Sequence, residues 1–567
     1  MKNVMGGKVK KSFVGKMITM VLLLAVLMSS TLGCVSRVEN DYQVNTVMIE
    51  EFDDASYLNA IINEIMERFD GAVWGMDFAF SDSGDIVYSL NRQQYFLPAS
   101  SLKVFTAGLA FEALGKDFQF HTPVYRTGHI EDGILKGDLV LLASGDLLFG
   151  GRVSPDGSIN TPQNDHSYGF SPSAVPVSDY PLGSLYELAE QIAAYGIREI
   201  EGNIIIDDSL FREGIDDLGG AGGNYHISPS MLNDNIIGIL VNPGENVGDP
   251  AIIQILPETP YLTVINETIT TAASESTGGG VLVAGGGAGV SFENDTLNTD
   301  GTRTVTLSGN VQIGSPTLLC TYTVPEPTAF AEAALHMILA EKGITSNIDL
   351  TRVHDFIGLS EYYTDENRVA ELVSPSLMHQ LLPMMKVSSN LHTVAWPYIA
   401  GAIVGNDPEN ALSTGLEMQA DMFRRFGVEP SVPVEEMLTM TDMAHILYTP
   451  ESFTNFLNNV NNTLYFEDFL YTLPIMGVDG TLDDMNPNLT ATGNVFAKTG
   501  RRLDMVMVDG MRQSTITNTL AGYIKLPDGQ YVTFSMFCQH TSNSRNADPL
   551  HQAFGEIINA VYEYLAR

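Results

Sequence analysis

The chain has 567 residues and a formal net charge of −39, with 68 acidic side chains against 29 lysines and arginines. This negative charge disfavours nucleic acid and anionic lipid surfaces as partners, because both carry charge of the same sign. Hydrophobic residues make up 44% of the chain and charged residues 17%, which is typical of a folded protein with several domains.

The N-terminus has the pattern of a secretion signal. Five lysines precede an apolar run over residues 17–28, which is shorter than a membrane-spanning helix. Small residues then lead to Cys34, so we expect a lipoprotein signal peptide over residues 1–34, with Cys34 lipidated and the protein attached to a membrane through that lipid. Thr31 stands where an apolar residue is usual, and a plain cleaved signal or an uncleaved anchor is the alternative.

The first folded region contains the most informative motif of the chain. Residues 72–80 and 86–90 predict a β-hairpin, and an apolar helical run follows Pro98. Ser100 and Lys103 lie one helical turn apart near the start of that run. The serine is a candidate nucleophile and the lysine its proton acceptor, in a place where free backbone N–H groups favour negative charge. The alternative for this motif alone is a helix cap beside a surface lysine.

Short strands and turns dominate residues 126–345. Residues 185–195 predict an amphipathic helix that ends at Gly196, and residues 197–208 predict a strand. A stretch rich in Thr, Ser, Gly and Asn, with glycine runs at residues 278–280 and 285–287, indicates a small β domain near residues 245–320. A helix over residues 329–342 ends at Gly343 and leads the chain back to the first region.

Two further motifs lie in the C-terminal half. Ser388-Ser389-Asn390 is predicted on a helix, and Lys498-Thr499-Gly500 on a strand. Two strands over residues 520–524 and 531–537 follow, separated by a Pro-Asp-Gly turn, and residues 553–566 predict a terminal helix.

The remaining cysteines and the histidines do not form a recognisable site. Cys320 and Cys538 are too far apart in sequence to indicate a disulfide framework, so we expect two buried thiols. The 11 histidines show no metal-ligand spacing, and we expect neither a metal nor a cofactor.

The S-x-x-K, S-x-N and K-T-G motifs occur in the order found in penicillin-recognising serine enzymes. With residues 473–482, which resemble a segment preceding K-T-G, they make the chain similar to the class C low-molecular-mass penicillin-binding proteins, the D-alanyl-D-alanine carboxypeptidase/endopeptidase family S13. The resemblance implies an α/β (α+β) transpeptidase-like fold, with an antiparallel sheet flanked by helices. It also implies a discontinuous catalytic domain over residues 44–125 and 346–567, interrupted by inserted domains over residues 126–345.

The resemblance assigns the acylation chemistry to four side chains and two backbone N–H groups. Ser100 would attack the carbonyl between two D-alanines and form an acyl-enzyme, with Lys103 accepting its proton. Ser388 would relay the proton to the leaving amine, and Asn390 would hold the substrate amide or Lys103. Backbone N–H groups of Ser100 and Arg501 would form the oxyanion hole.

The resemblance assigns substrate binding to a second group of residues. Lys498 would attract the terminal carboxylate of the peptide or of penicillin, beside Thr499 and Gly500 on the same strand, and Lys386 would add positive charge. The partners implied are peptidoglycan stem peptides and, as acylating ligands, β-lactam antibiotics.

The chain departs from the family pattern in several places. Arg501 follows K-T-G where the family has Thr or Ser, and it would either bind a carboxylate or block the groove. Residues 501–519 are an insert that we expect to form a lid. Ser389 replaces an Asp, and the family's Asp-Gly-Ser-Gly-Leu-Ser stretch is missing near residues 437–443. A β-lactamase or esterase, or a catalytically weak envelope lipoprotein that binds peptides, is therefore the alternative function.

Overall fold

The computed structural model of the chain describes residues 54–169, 173–217, 224–273, 289–352, 356–433, 446–508, 511–542 and 548–567. Several predictions lie outside these described residues: the signal peptide with Cys34, both glycine runs, and the stretch at residues 437–443. Within the described ranges, no helix combines the length and hydropathy needed to cross a membrane.

The described helices and strands come from a sequence in which apolar runs are separated by Gly, Pro and Asn turns. The strands are β1 Val73–Phe80, β2 Ile86–Leu90, β3 His121–Arg126, β4 Ile130–Glu131, β5 Ile134–Leu135, β6 Leu139–Leu142, β7 Glu199–Asp207, β8 Gly214–Asp217, β9 Asn224–Ile227, β10 Ile236–Asn242, β11 Ile252–Leu256, β12 Leu262–Thr271, β13 Val290–Leu297, β14 Arg303–Gln312, β15 Leu318–Thr323, β16 Thr345–Asn347, β17 Arg368–Val373, β18 Val495–Val508, β19 Met511–Lys525 and β20 Tyr531–Ser542. The helices are α1 Asp54–Met66, α2 Lys103–Leu114, α3 Gly183–Tyr195, α4 Pro327–Glu341, α5 Leu377–Gln380, α6 Leu382–Lys386, α7 Asn390–Ile403, α8 Ala411–Phe426, α9 Pro450–Asn461, α10 Phe466–Thr472 and α11 Asp548–Leu565.

A five-stranded antiparallel sheet joins the two ends of the chain. Its strand order is β18-β19-β20-β1-β2, so the predicted hairpin of residues 72–90 is confirmed and pairs with β20. Helices α1 and α11 bury the apolar side chains of one face, and α2 lies with α7, α8 and α9 in the core on the other face. The terminal helix begins five residues earlier than predicted, at Asp548. The sheet therefore presents β18 as an edge strand beside the helical region.

A second sheet dominates the middle of the chain. Its order is β17-β3-β6-β7-β5-β4, with β16 paired to β7, and α3 and α4 pack on it. The predicted helix over residues 185–195 is confirmed as part of α3, and Gly196 ends it at φ +103°, a conformation that favours glycine. Strand β3 crosses the boundary at residue 126 and β17 lies beyond residue 345, so the pairing continues past those boundaries, which stay a prediction.

Short sheets form a further layer near the predicted β domain. Strands β11, β10 and β15 make one sheet and β12, β14 and β13 another, and the two share an apolar core that includes Cys320. Cys320 and Cys538 are both buried free thiols, as predicted.

Candidate active site

The predicted nucleophile lies on a tight turn. Residues Ala99–Leu102 form a single 3₁₀ turn, and α2 starts only at Lys103. Ala99 has a positive φ of 45°, a strained value for a non-glycine residue. The carbonyl of Pro98 accepts hydrogen bonds from the hydroxyls of Ser101 and Thr519, each at 2.7 Å. These bonds hold the strained turn and fix the position of Ser100.

Lys103 is the centre of the site. Its Nζ lies 2.9 Å from Ser100 Oγ, 3.3 Å from Ser388 Oγ and 2.6 Å from Asn390 Oδ1. The residue is only 3% exposed. A neutral amine in this place can donate to Asn390 and Ser388 and use its lone pair to accept the Ser100 proton. The geometry therefore suits a general base for a serine nucleophile.

Ser388 lies before a helix rather than on one, so that prediction is wrong. It occupies the turn between α6 and α7 at φ +63°, and α7 begins at Asn390. Ser389, which replaces the family's Asp, is the N-cap of α7 and accepts a hydrogen bond from the backbone N–H of His392. Hydroxyl side chains are among the preferred N-caps, so the replacement keeps the helix start well satisfied.

Lys498 contacts the hydroxyl of Ser388 as well. Its Nζ lies 3.0 Å from Ser388 Oγ and 2.8 Å from the carbonyl oxygen of Thr499, and the residue is fully buried. The structure thus brings together all five predicted catalytic residues: Ser100, Lys103, Ser388, Asn390 and Lys498. Ser388 Oγ sits between the two lysine amines, where it can pass a proton between them.

Burial changes the acidity of both lysines. It lowers the pKa of Lys103 to about 7. Burial, and then the nearby charge of Lys103, lowers the pKa of Lys498 well below its usual value. Lys103 is therefore neutral in a large fraction of molecules near neutral pH, which the role of proton acceptor requires.

The edge strand β18 presents backbone donors next to this group. The N–H of Ala497 bonds to Pro474 on the side away from β19, at 2.9 Å. Because strand residues alternate in direction, the N–H groups of Thr499 and Arg501 point to the same outer side. This direction is the one that the predicted oxyanion-hole role of the Arg501 N–H needs.

Gly500 is required by close packing against the nucleophile turn. A Cβ atom at this position would lie 2.6 Å from the Pro98 carbonyl oxygen, 2.7 Å from the Ser101 nitrogen and 2.2 Å from Thr519 Oγ1. Glycine therefore lets the strand and the turn touch. Thr499 Oγ1 donates a hydrogen bond to Thr481 Oγ1 at 2.8 Å, within the segment that resembles the family's lead into K-T-G.

Arg501 and Lys386 lie outside the hydrogen-bonded group. The Arg501 guanidinium is half exposed and lies 3.6 Å from the Asp548 carboxylate. Lys386 donates to the Leu473 carbonyl at 2.6 Å and to Asp479 at 2.7 Å. Burial lowers the pKa of Lys386, although Asp479 opposes this effect. Their substrate-binding roles stay predictions.

In the described residues 501–508 and 511–519 the predicted separate lid is not present. These residues belong to the far halves of β18 and β19, which pair without a register shift from Val495–Ile524 to Val508–Met511. The predicted insert is therefore part of two long paired strands. Arg501 and Leu503 on these strands are each about half exposed.

Three residues of the site were missed from the sequence. Tyr168 donates to the Ser388 carbonyl, Thr519 to the Pro98 carbonyl, and Asp479 pairs with Lys386. Only Asp479 carried a local signal, because it lies in the recognised segment of residues 473–482. The contacts of the other two join parts of the chain that are hundreds of residues apart, and no spacing rule predicts them. In the part of the chain that the structure describes, no cluster of His, Cys, Asp or Glu is placed to hold a metal ion.

Comparison with known proteins confirms the expected family and fold. The model of the D-Ala-D-Ala carboxypeptidase 3 (S13) family matches residues 55–554, so the chain belongs to this family. A D-alanyl-D-alanine carboxypeptidase of Actinomadura sp. (strain R39) is 24% identical over 502 residues, which cover 83% of this chain and 78% of the relative. The crystal structure of penicillin binding protein 4 from Haemophilus influenzae has a TM-score of 0.61 and 19% identity, covering 88% of this chain and 99% of that one. Its complex with a β-lactam matches over the same shares, at 19% identity and a TM-score of 0.58.

Proposed function

We propose that the protein is a serine D-alanyl-D-alanine carboxypeptidase that acts on peptidoglycan stem peptides through an acyl-enzyme on Ser100. The observation that carries the proposal is the contact of Lys103 Nζ with Ser100 Oγ, Ser388 Oγ and Asn390 Oδ1 within 3.3 Å. Family membership supports the reaction class, and the named activity of the Actinomadura relative supports the substrate.

Acylation follows from the positions of the side chains. Neutral Lys103 accepts the hydroxyl proton as Ser100 Oγ bonds to the carbonyl carbon of the penultimate D-alanine. The carbonyl oxygen gains negative charge and accepts hydrogen bonds from the outward N–H of Arg501 and the N–H of Ser100. When the C–N bond breaks, Ser388 gives its proton to the leaving D-alanine amine and regains one from the lysines.

Hydrolysis completes the cycle. Water attacks the ester carbonyl, the C–Oγ bond breaks, and Ser100 recovers its proton while the shortened peptide leaves as a carboxylic acid. The buried amine of Lys498 provides the positive charge for the terminal carboxylate of the bound peptide, because an approaching anion favours its protonated form. A β-lactam would acylate the same serine, and this is the basis on which we propose β-lactams as ligands.

Release of D-alanine tests the proposal directly. The parent protein is incubated with an N-acylated stem peptide ending in D-Ala-D-Ala, with a peptide ending in L-Ala-L-Ala as the substrate control. We expect Ser100→Ala to lower the rate by at least about 10³-fold, because it removes the nucleophile. Ser413→Ala, at an exposed serine of α8 away from the site, is the control and should keep the parent activity. Parent-like release by Ser100→Ala would contradict the proposal.

A cross-linked dimer of two stem peptides distinguishes the two activities named for the family. Cleavage of the dimer to monomers by the parent, and its loss in Ser100→Ala, would extend the proposal to endopeptidase activity. The weakly catalytic alternative is not favoured, because Arg501 leaves the contacts of Ser100, Lys103, Ser388 and Lys498 intact.

We also propose that the protein is located in the cell envelope and is held to a membrane by a lipid on Cys34. The basic and apolar N-terminus supports secretion, and a peptidoglycan substrate requires it. Metabolic labelling with radioactive palmitate tests the anchor. Label on the parent and none on Cys34→Ser is the expected result, and equal labelling of both proteins would contradict it.

A further inference from the structure

The strained turn that carries Ser388 is held from outside the helical region. Tyr168 ends a short 3₁₀ turn, His166–Tyr168, in the middle part of the chain. Its hydroxyl lies 2.7 Å from the carbonyl oxygen of Ser388 and 3.0 Å from that of Val387. A residue with positive φ keeps that conformation only where its surroundings enforce it. Tyr168 is the side chain that contacts the backbone of Ser388 itself.

A buried ionic cluster makes a second connection at the same place. Asp234 accepts hydrogen bonds from Arg152 Nε at 3.0 Å, and its carboxylate lies 2.7 Å from His166 Nε2 and 3.1 Å from His392 Nε2. His392 belongs to α7, two residues after Asn390, and His166 belongs to the turn that carries Tyr168. Asp165 pairs with Arg152 at 2.8 Å. All five side chains are at most 5% exposed.

The electrostatics of the cluster keep its central group charged. Burial alone would raise the pKa of Asp234, but Arg152 and then His392 outweigh it and hold the pKa well below the usual value. Burial lowers the pKa of His392, against the opposing effect of Asp234. A buried carboxylate with several donors is rigid, because any movement leaves charge without a partner.

The backbone around Asp234 has an uncommon conformation. Asn233, Asp234 and Asn235 all have positive φ, at 49°, 60° and 53°. Asn and Asp tolerate this conformation better than other non-glycine residues, yet three in succession are uncommon. Gly150 allows the close approach, since a Cβ there would lie 2.7 Å from the Asn233 nitrogen.

We propose that Tyr168 and Asp234 are positioning residues for the proposed reaction, holding Ser388 and Asn390 against Lys103 from the middle part of the chain. The inference rests on the proposed function of the site and adds a role for residues 126–345 in catalysis. Tyr168 fixes the Ser388 carbonyl, and Asp234 fixes the first turn of α7 through His392. Without them the turn relaxes and the Ser388 hydroxyl no longer lies between Lys103 and Lys498.

Tyr168→Phe is the most direct test, because it removes one hydroxyl and little volume. The matched control is Tyr523→Phe, which removes another buried hydroxyl bonded to a backbone carbonyl, that of Leu457 at 2.8 Å. Acylation by penicillin is measured over a range of concentrations, so that the limiting rate and the affinity of the non-covalent complex are obtained separately. We expect Tyr168→Phe to lower the limiting rate about 10- to 100-fold with little change in affinity, and Tyr523→Phe to keep the parent values.

Hydrogen–deuterium exchange gives a readout that does not depend on activity. Tyr168→Phe should speed exchange in peptides spanning residues 387–392, whereas Tyr523→Phe should leave them unchanged. His392→Leu breaks the link from Asp234 to α7, leaves Arg152 and His166 on the carboxylate, and should speed exchange in the same peptides.

If the parent is not acylated but exchange still changes locally, the proposed function fails and the positioning role stands. Unchanged exchange in both Tyr168→Phe and His392→Leu would overturn the positioning role. Equal losses of acylation rate in Tyr168→Phe and Tyr523→Phe would also overturn it.

Discussion

At the scale of single residues, the site depends on two buried amines that share one hydroxyl. Lys103 and Lys498 both contact Ser388 Oγ, and two ammonium groups this close in a buried site repel each other. Burial lowers the pKa of both lysines, and the charge of Lys103 lowers that of Lys498 further. The substrate-free site therefore favours the binding of an anion, and a substrate carboxylate would relieve the repulsion between the two amines.

The pKa of Lys103 sets a pH dependence for acylation. Below about pH 7 the amine is protonated and cannot accept the Ser100 proton, so the rate should rise with pH through about 7 and level off above it. Two pH units below the midpoint, the rate constant should be about 100-fold under its plateau. The measurement is the second-order rate constant for acylation by penicillin from pH 5 to 9, with circular dichroism as the control for folding. A flat profile would contradict the role of Lys103 as the base.

The close packing at Gly500 predicts that an added methyl group would destabilise the protein. Gly500→Ala places a Cβ inside contact distance of the nucleophile turn, where two of the three nearest atoms are backbone. We expect a loss of about 1–3 kcal/mol in the free energy of unfolding and a loss of penicillin acylation. Gly183→Ala is the control, because its Cβ meets only the Gly150 carbonyl oxygen, at 3.3 Å. Urea unfolding of both variants checks this, and a Gly500→Ala protein with parent stability and acylation would show the packing argument to be wrong.

At the scale of elements, the sequence predicted what depends on local pattern. The hairpin of residues 72–90, the helix before Gly196 and the strands on either side of the Pro-Asp-Gly turn follow from periodicity and turn residues. The motifs predicted which catalytic residues meet. The interpretation of residues 501–519 as an insert missed the length of β18 and β19, although an Asp-Gly pair after alternating apolar residues is a local hairpin signal. Local patterns also missed the turn at Ser388, which has a positive φ and accepts a hydrogen bond from Tyr168, a residue distant in sequence.

The pair of Lys386 and Asp479 joins α6 to the segment before K-T-G. The Lys386 side chain is 11% exposed and that of Asp479 is 40% exposed. Asp479→Asn should cost about 1–3 kcal/mol in the free energy of unfolding, because a largely buried ammonium loses its counter-charge. Adding Lys386→Met should recover part of this loss in a double-mutant cycle. The exposed pair of Arg68 and Glu556 is the control, and its disruption should cost less than about 1 kcal/mol. Equal costs for the two pairs in urea unfolding would contradict the structural role of Lys386.

At the scale of the whole molecule, two larger sheets and a small β layer each have their own apolar core. The core of the five-stranded sheet contains Cys538, and that of the small β layer contains Cys320. The proposed catalytic residues lie on β18 and on the helices and turns beside the five-stranded sheet, and Tyr168 and Asp234 come from the middle of the chain. With the positioning role proposed for these two residues, the part of the chain between the first two motifs contributes to the site.

The two buried thiols report on the integrity of these cores. Burial raises the pKa of Cys320 to about 12 and also raises that of Cys538, so both stay protonated and shielded at neutral pH. We expect neither to react with iodoacetamide in the native protein and both to react in guanidinium chloride. Peptide mapping by mass spectrometry separates them from Cys34. Rapid labelling of either thiol in native buffer would contradict the described packing.

The proposed function requires Ser100 to be acylated, and labelling with penicillin measures this. The full chain is incubated with fluorescent penicillin, and intact mass and peptide mapping locate the adduct. We expect one adduct per chain, on Ser100, present in the parent and in Ser413→Ala and absent in Ser100→Ala. A folded protein that gains no adduct at high penicillin concentration, or an adduct on another residue, would contradict it.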